Sequence, residues 1–73
     1  MNIKQLETEL KKNHIPDWHY NLSGTGRNDE RLCIEKSNKG WNVYYLERGE
    51  RTTDLMFDTE DEACNYILKH LVK

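Results

Sequence analysis

Apolar side chains recur at helical spacing near the start of the chain. Ile3, Leu6 and Leu10 fall on one face of a helix. Asn2 precedes them and, with a glutamine three positions later, has the spacing of a capping box. The pattern predicts an N-terminal helix that is stopped by Pro16.

A second helix is predicted near the end of the chain. Thr59 and Glu62 have the Thr-x-x-Glu spacing of a capping box. The apolar positions that follow them recur every three or four residues, which indicates one buried stripe. The predicted stripe consists of Cys64, Ile67, Leu68 and Leu71.

Between the helices, apolar residues alternate with polar ones at a period of two, which is typical of strands. The predicted strands cover residues 18–22, 32–34, 41–46 and 53–57. Polar segments that contain glycine separate them and predict a loop at 23–30 and turns at 37–40 and 47–51. Gly40 is expected to take a positive φ. The third strand is apolar on both faces and is therefore expected to be central.

This order of elements predicts an α+β fold over residues 1–73 as a single domain, because 73 residues are too few for two independent cores. The expected architecture is an antiparallel meander of three to four strands, with the N- and C-terminal helices packed on one face. The other face of the sheet is left for water or a partner.

Composition narrows the possible functions. The chain has 11 basic and 13 acidic residues and a net charge of −2, so it has no overall attraction for nucleic acid or anionic membranes. No apolar run approaches the ~20 residues that a membrane span requires. The N-terminal segment lacks the apolar core of an export signal. These features predict a cytoplasmic protein that binds neither membrane nor nucleic acid.

Candidate chemistry is sparse. Cys33 and Cys64 are expected to be reduced and semi-buried, and the three histidines are too scattered for a zinc site. His19 beside Asp17 is the best local acid–base pair, but no nucleophile or oxyanion motif accompanies it. The Gly-Thr-Gly-Arg segment at 24–27 precedes a strand, so a turn is expected there, not a phosphate site. No enzymatic activity, metal or cofactor is predicted.

The start of the second helix is strongly acidic, with four acids among residues 58–62. Carboxylates in a first helical turn stabilise the helix dipole, and the same charges could attract a basic partner. The helix–strands–helix order also resembles the double-stranded-RNA-binding domain. Because that family binds phosphates at this helix start, the acids oppose RNA binding, which stays a minor alternative.

The second half of the chain carries a family resemblance. The segment Trp-Asn-Val-Tyr-Tyr-Leu-Glu-Arg-Gly-Glu-Arg from residue 41, the Phe-Asp-Thr-Glu-Asp-Glu-Ala-Cys segment from residue 57 and Tyr-Ile-Leu from residue 66 resemble the C-terminal part of small immunity proteins of bacterial polymorphic-toxin systems. The resemblance implies stoichiometric binding that neutralises a cognate toxin inside the producing cell, without chemistry. A toxin with a basic active-site cleft would complement the acidic helix start.

On this hypothesis the expected contacts with the partner lie on the central hairpin and at the start of the last helix. They are Tyr44, Glu47, Glu50, Arg51, Asp58, Glu60 and Asp61. Trp18 and Trp41 are expected to lie in the core instead. The alternative is a small adaptor or regulatory domain that forms homodimers through its open sheet face or an edge strand.

Overall fold

A computed structural model describes residues 1–22 and 30–72. The predicted loop at 23–30, including the Gly-Thr-Gly-Arg segment, lies outside these residues apart from Glu30. The elements are α1 (Ile3–Lys12), a 3₁₀ turn (Asp17–His19), β1 (Tyr20–Asn21), β2 (Leu32–Ser37), β3 (Gly40–Glu47), β4 (Glu50–Phe57) and α2 (Glu60–Leu71). The α+β class is confirmed, with a mostly antiparallel sheet.

The four strands form one sheet in the order β1-β2-β3-β4. β2, β3 and β4 are consecutive antiparallel partners, so β3 is central as predicted. β1 instead pairs with β2 in parallel, with Tyr20 opposite Leu32. The predicted antiparallel meander of three to four strands is confirmed over β2, β3 and β4, and β1 departs from it. The alternation of apolar and polar residues along a strand indicates which face is buried, but it does not determine the direction in which the strand pairs.

The predicted first strand is also shorter than expected. Residues 17–19 form a 3₁₀ turn behind Pro16, closed by a hydrogen bond of 3.1 Å from the His19 N–H to the Pro16 carbonyl. The turn breaks the alternation of faces that a strand would impose. Trp18 is consequently 64% exposed, contrary to the expected core position. Trp41, in contrast, packs against the core.

The N-terminal helix begins as predicted and ends by a different device. Asn2 and Gln5 form the reciprocal capping box, with bonds of 2.8 and 2.9 Å. Beyond Lys12, His14 takes the left-handed φ of 61° and Ile15 donates its N–H to the Leu10 carbonyl at 3.0 Å. This is a Schellman ending. The helix therefore stops before Pro16, because local backbone hydrogen bonds end it first.

Both helices pack on one face of the sheet, as predicted. Fully buried side chains from α1, β2, β3 and α2 meet between the two layers, including Leu6, Ile34, Val43 and Ile67. In α2 the stripe also includes Ala63, whereas Leu68 and Leu71 are only partly buried. Thr59 caps this helix by accepting the Glu62 N–H at 3.2 Å. The hydrophobic core thus lies entirely on the helix side.

The two hairpin turns position the ends of β3. Gly40 has a φ of 134°, as expected, and an added Cβ there would collide with the Phe57 carbonyl oxygen. At the other end Arg48 and Gly49 both have positive φ, 53° and 81°. Two consecutive positive φ values are typical of a type I′ turn, which matches the twist of the paired strands.

The two edges of the sheet differ in length. β1 contributes only two residues, whereas β4 contributes eight and has no neighbour on its outer side among residues 1–22 and 30–72. Every residue of β4 is at least partly exposed, and Leu55 and Met56 are 39% and 50% exposed.

Candidate functional site

The sheet face opposite the helices, called the open face below, carries an ordered polar cluster. Its members are Glu35 on β2, Asn42 and Tyr44 on β3, and Arg51 and Asp54 on β4. No described helix packs on these side chains. Because hydrogen bonds and a ring contact join them, the cluster is a defined surface and not a set of free solvated groups.

The Arg51 guanidinium is the centre of this cluster. Its carbon lies 4.0 Å from the centroid of the Tyr44 ring, a cation–π stack. Its Nη1 atom donates to Asn42 Oδ1 at 2.9 Å. Carboxylates flank it on both sides, with Glu35 at 3.6 Å and Asp54 at 3.5 Å. The guanidinium is held in one plane over the tyrosine while its side chain stays 41% exposed.

Asn42 anchors the cluster to the backbone. It is only 5% exposed, and its Nδ2 donates to Asp54 Oδ1 at 2.7 Å and to the Leu55 carbonyl at 2.9 Å. With the bond from Arg51, the Asn42 amide uses both its donor and acceptor atoms. A buried, satisfied amide fixes neighbouring side chains because any rotation would leave polar atoms unpaired.

A β-bulge in β4 directs Arg51 to this face. Tyr45 pairs with Thr53, but the next residue of β3, Leu46, pairs with Arg51, so Thr52 is the extra residue. Regular alternation would place residues 51 and 54 on opposite faces. The bulge restores Arg51 to the side of Asp54, and bulges often re-aim a functional side chain in this way.

Tyr44 and its neighbour Cys33 are buried beneath this surface, at 5% and 1% exposure. Burial raises the pKa of the Tyr44 hydroxyl, and the nearby thiol adds to the effect. Burial also raises the pKa of the Cys33 thiol. Since the thiolate is the reactive form, a buried thiol with a raised pKa is a poor nucleophile. Cys33 is therefore suited to packing beneath the open face and not to nucleophilic attack.

Of the predicted contact residues of the β3–β4 hairpin, Tyr44 and Arg51 lie on the open face, whereas the strand register places Glu47 and Glu50 on the opposite face at the turn. Tyr44 and Arg51 form the stack, and Glu47 and Glu50 are exposed across the type I′ turn. Neither of these glutamates forms an ion pair within the described part of the chain. The turn therefore presents two exposed carboxylates on the face opposite the Arg51 guanidinium.

The predicted contacts at the start of α2 lie elsewhere. β4 separates them from the hairpin turn by eight residues, or about 25 Å of strand. Glu60 accepts the Ile3 N–H at 2.9 Å, and Asp61 binds the Met1 amine and Asn65. The Met1 contact lowers the pKa of the Asp61 carboxyl. Of the three acids named for this helix start, only Asp58 has no such contact with residues 1–22 and 30–72.

Sequence reasoning missed Glu35, Asn42 and Asp54, three of the five cluster members. Asn42 lies in a strand that was predicted to be apolar on both faces. A buried asparagine in a central strand is unusual enough to signal a side-chain network. No local pattern reveals the bulge, so the approach of Arg51 to these residues was not foreseeable.

The helix side of the molecule has a depression of about 230 Å³ between the end of α2 and the sheet. His19, Glu30, Tyr45, Tyr66 and His70 are among its lining residues.

Across the part of the chain that the structure describes, no three His, Cys, Asp or Glu side chains are grouped to hold a metal ion. In the same part, no helix is long and apolar enough to cross a membrane.

Comparisons with known proteins give no further lead. No protein-family model, curated protein or solved structure matches the chain.

Proposed function

We propose that this chain binds a protein partner through the open face of its sheet. The stacked Tyr44–Arg51 pair carries the proposal. Arginine is among the side chains most enriched in binding hot spots, and the buried Tyr44 ring supports the guanidinium from below. Here the Asn42 amide and two carboxylates already hold the guanidinium in place. Binding would therefore cost little side-chain entropy, which favours affinity.

The charge around the pair favours a basic partner. Glu35 and Asp54 flank one guanidinium, and Glu47 and Glu50 lie exposed at the turn. Carboxylates at the border of an interface steer a positively charged partner and raise the association rate. Met56, 50% exposed on the same face, adds an apolar contact. The surface thus combines an aromatic–arginine anchor, an apolar side chain and acidic steering.

Within this class, we propose a cytoplasmic immunity protein that neutralises a cognate bacterial toxin by stoichiometric binding. The resemblance to immunity proteins falls on residues 41–71, and this segment contains Asn42, Tyr44, Arg51 and Asp54. Three of the five residues of the open-face cluster, Asn42, Tyr44 and Arg51, lie in the segments that carry the resemblance. A toxin with a basic cleft would be blocked by such a surface without any reaction.

Co-expression tests the proposal. The C-terminal region encoded by the adjacent upstream reading frame should arrest growth alone, and the present chain should restore growth and co-purify with it at one to one. Arg51→Ala should weaken the complex by about tenfold or more. Lys12→Ala, an exposed cation on α1, is the matched control and should bind normally.

A second open-face variant keeps the test interpretable if Arg51→Ala does not fold. Met56→Asp changes an exposed side chain, so the fold should persist while binding weakens. Absence of both rescue and co-purification would overturn the toxin assignment. Equal binding by wild type, Arg51→Ala and Met56→Asp would overturn the open face as the interface.

The alternative is an adaptor that forms homodimers, and the eight-residue outer edge of β4 favours it. Mass measurement in solution at micromolar concentration separates the two functions. A dimer that ignores the co-expressed toxin would favour the adaptor, and a monomer that forms a one-to-one complex would favour the immunity protein.

A further inference from the structure

The outer edge of β4 is protected against another strand in its first half only. Glu50 and Arg51 place charges there, and the bulge at Thr52 interrupts the register. Charges and bulges are the usual devices that keep a further strand off an open edge. Over residues 53–57 the pairing with β3 is regular, and this stretch has no bulge, lysine or proline. Alternate main-chain N–H and C=O groups of the stretch point outward, and no described strand lies beside them.

The same stretch is apolar on both faces of the sheet. Met56 pairs with Asn42 and therefore lies on the open face. Leu55 pairs with the buried Val43 and therefore lies on the helix side. The two side chains are 50% and 39% exposed, and with Trp18 they are the exposed large apolar residues of the described chain. A partner docked flat on the open face would cover Met56 alone, whereas a strand added along the edge would cover both.

The exposed side chains of the stretch specify what an added strand would carry. Asp54 lies on the open face and is 54% exposed, and its contacts with Asn42 and Arg51 both end on Oδ1. Opposite charges that face each other across two strands stabilise the pairing, and so do apolar pairs. The complementary segment therefore has a basic residue opposite Asp54 and apolar residues opposite Leu55 and Met56.

A second copy of this chain fits the edge less well. Antiparallel self-pairing with Leu55 on the two-fold axis sets each Asp54 opposite Met56 of the other copy, so neither carboxylate meets a cation. Self-pairing with Asp54 on the axis sets two like charges opposite each other, which destabilises the pair. A basic partner supplies the cation that both of these registers lack.

We propose that the protein partner contributes an extended segment that pairs with residues 53–57 of β4 and continues the sheet. Main-chain hydrogen bonds give this mode of binding its affinity, and the alternate side chains give it specificity. Asp54 and Met56 belong to both the edge and the open face, so the added strand extends the proposed interface. That the segment belongs to a toxin rests on the proposed function, whereas the strand pairing itself does not.

NMR titration of the full chain with the peptide Ac-Thr-Ile-Val-Lys-Thr-NH2 tests the pairing. In antiparallel register its lysine lies opposite Asp54, and its valine and isoleucine lie opposite Leu55 and Met56. The amide signals of residues 53–57 should shift in a saturable manner at millimolar concentrations.

The same peptide with N-methyl groups on its isoleucine and valine is the matched control. Neighbouring N–H groups of a strand point to opposite sides, so one of the two lost N–H groups faces β4. The control keeps every side chain and should bind at least about tenfold more weakly. Equal shifts with both peptides, or none with either, would overturn the proposal.

Leu55→Lys and Met56→Lys locate the segment on the edge. Each places a lysine at an exposed position of an edge strand, so each should weaken binding of the peptide at least about threefold. Trp18→Ala changes an exposed side chain beside the opposite edge of the sheet and should leave binding unchanged. Weaker binding in Met56→Lys with unchanged binding in Leu55→Lys would place the peptide on the open face and overturn the edge pairing.

A dilution series of the chain alone tests the competing occupant. Amide signals of residues 53–57 that move with protein concentration would show that a second copy occupies the edge, which would overturn the partner segment. The peptide titration uses no toxin, so a negative titration beside successful rescue would overturn the strand pairing alone. A saturable titration beside failed rescue would support the strand pairing in a protein that does not neutralise that toxin.

Discussion

The two faces of one sheet are ordered by different forces. On the helix side, Ile34 and Val43 are buried beneath two helices in an apolar core. On the open face, Asn42 and Tyr44 are nearly as buried, but a hydrogen-bonded cluster covers them. Adjacent residues of β3 thus serve folding on one side and present a surface on the other. The contrast predicts that changes to one face chiefly affect stability and changes to the other chiefly affect binding.

The largest effect is expected on the helix side. Ile34→Ala removes a side chain that is 2% exposed and leaves a cavity that the two layers cannot close. It should lower the free energy of unfolding by about 2–5 kcal/mol, much of the stability of a domain this small. Urea unfolding followed by circular dichroism measures the loss. A loss below about 1 kcal/mol would show that the core is not close-packed there.

Asn42→Ala is the matching test on the open face. It leaves Asp54 and the Leu55 carbonyl without their amide donor and frees the guanidinium of Arg51. The expected loss of stability is about 1–3 kcal/mol. Urea unfolding gives this value, and calorimetry should show weaker partner binding in the folded variant. If Asn42→Ala has the stability and the partner affinity of the wild type, the Asn42 hydrogen bonds do not hold the open-face side chains in place.

The two buried thiols give a comparison that depends on pH. Burial raises the pKa of Cys64, under the helices, from 9.0 to about 11, and raises that of Cys33 on the open face. The folded state therefore keeps protons that the unfolded state releases above pH 9. The resulting stability is complete below pH 9 and is lost as pH rises through about 11 for Cys64.

Denaturation at pH 7, 9 and 10.5 should reveal this loss in the wild type. Cys64→Ala should be less stable at pH 7 but should lose less stability between pH 9 and 10.5. Cys33→Ala should flatten the pH dependence to a smaller degree. If the stability of Cys64→Ala falls with pH as steeply as that of the wild type, the buried tyrosines, whose pKa values are also raised, cause the loss instead.

The smallest expected changes in stability distinguish two acids of the predicted contact set. Glu60 accepts the Ile3 N–H and joins the starts of the two helices, whereas Glu50 is an exposed turn residue. Glu60→Gln should cost about 0.5–1 kcal/mol, because a neutral amide accepts this hydrogen bond less strongly. Glu50→Gln should change stability by less than about 0.5 kcal/mol. In stopped-flow measurements at low salt, only Glu50→Gln should slow partner association.

Local chemistry explains which parts of the fold could be predicted. Asn2 and Thr59 accept the N–H groups that their spacing predicts, and Gly40 has the predicted positive φ. These features depend on residues a few positions apart. The core position predicted for Trp18 was wrong, and the parallel pairing of β1 was not predicted. Both a 3₁₀ turn and a parallel pairing depend on the path of the chain beyond the local segment.

The candidate site was only partly predictable for a related reason. Tyr44 and Arg51 were named as contacts from residue type alone. Their stacking depends on the bulge at Thr52 and on Asn42, and both are set by pairing between strands. A sequence shows which side chains are available, but the register between strands decides which of them meet.

The unequal edges of the sheet limit how copies of this protein can associate. An open β4 edge can pair with one further strand, and pairing with the β4 of another copy would occupy both long edges at once. The remaining ends, two residues of β1 on each copy, are too short to recruit a third. Self-association by strand pairing would therefore saturate at two copies and would not propagate into a fibre.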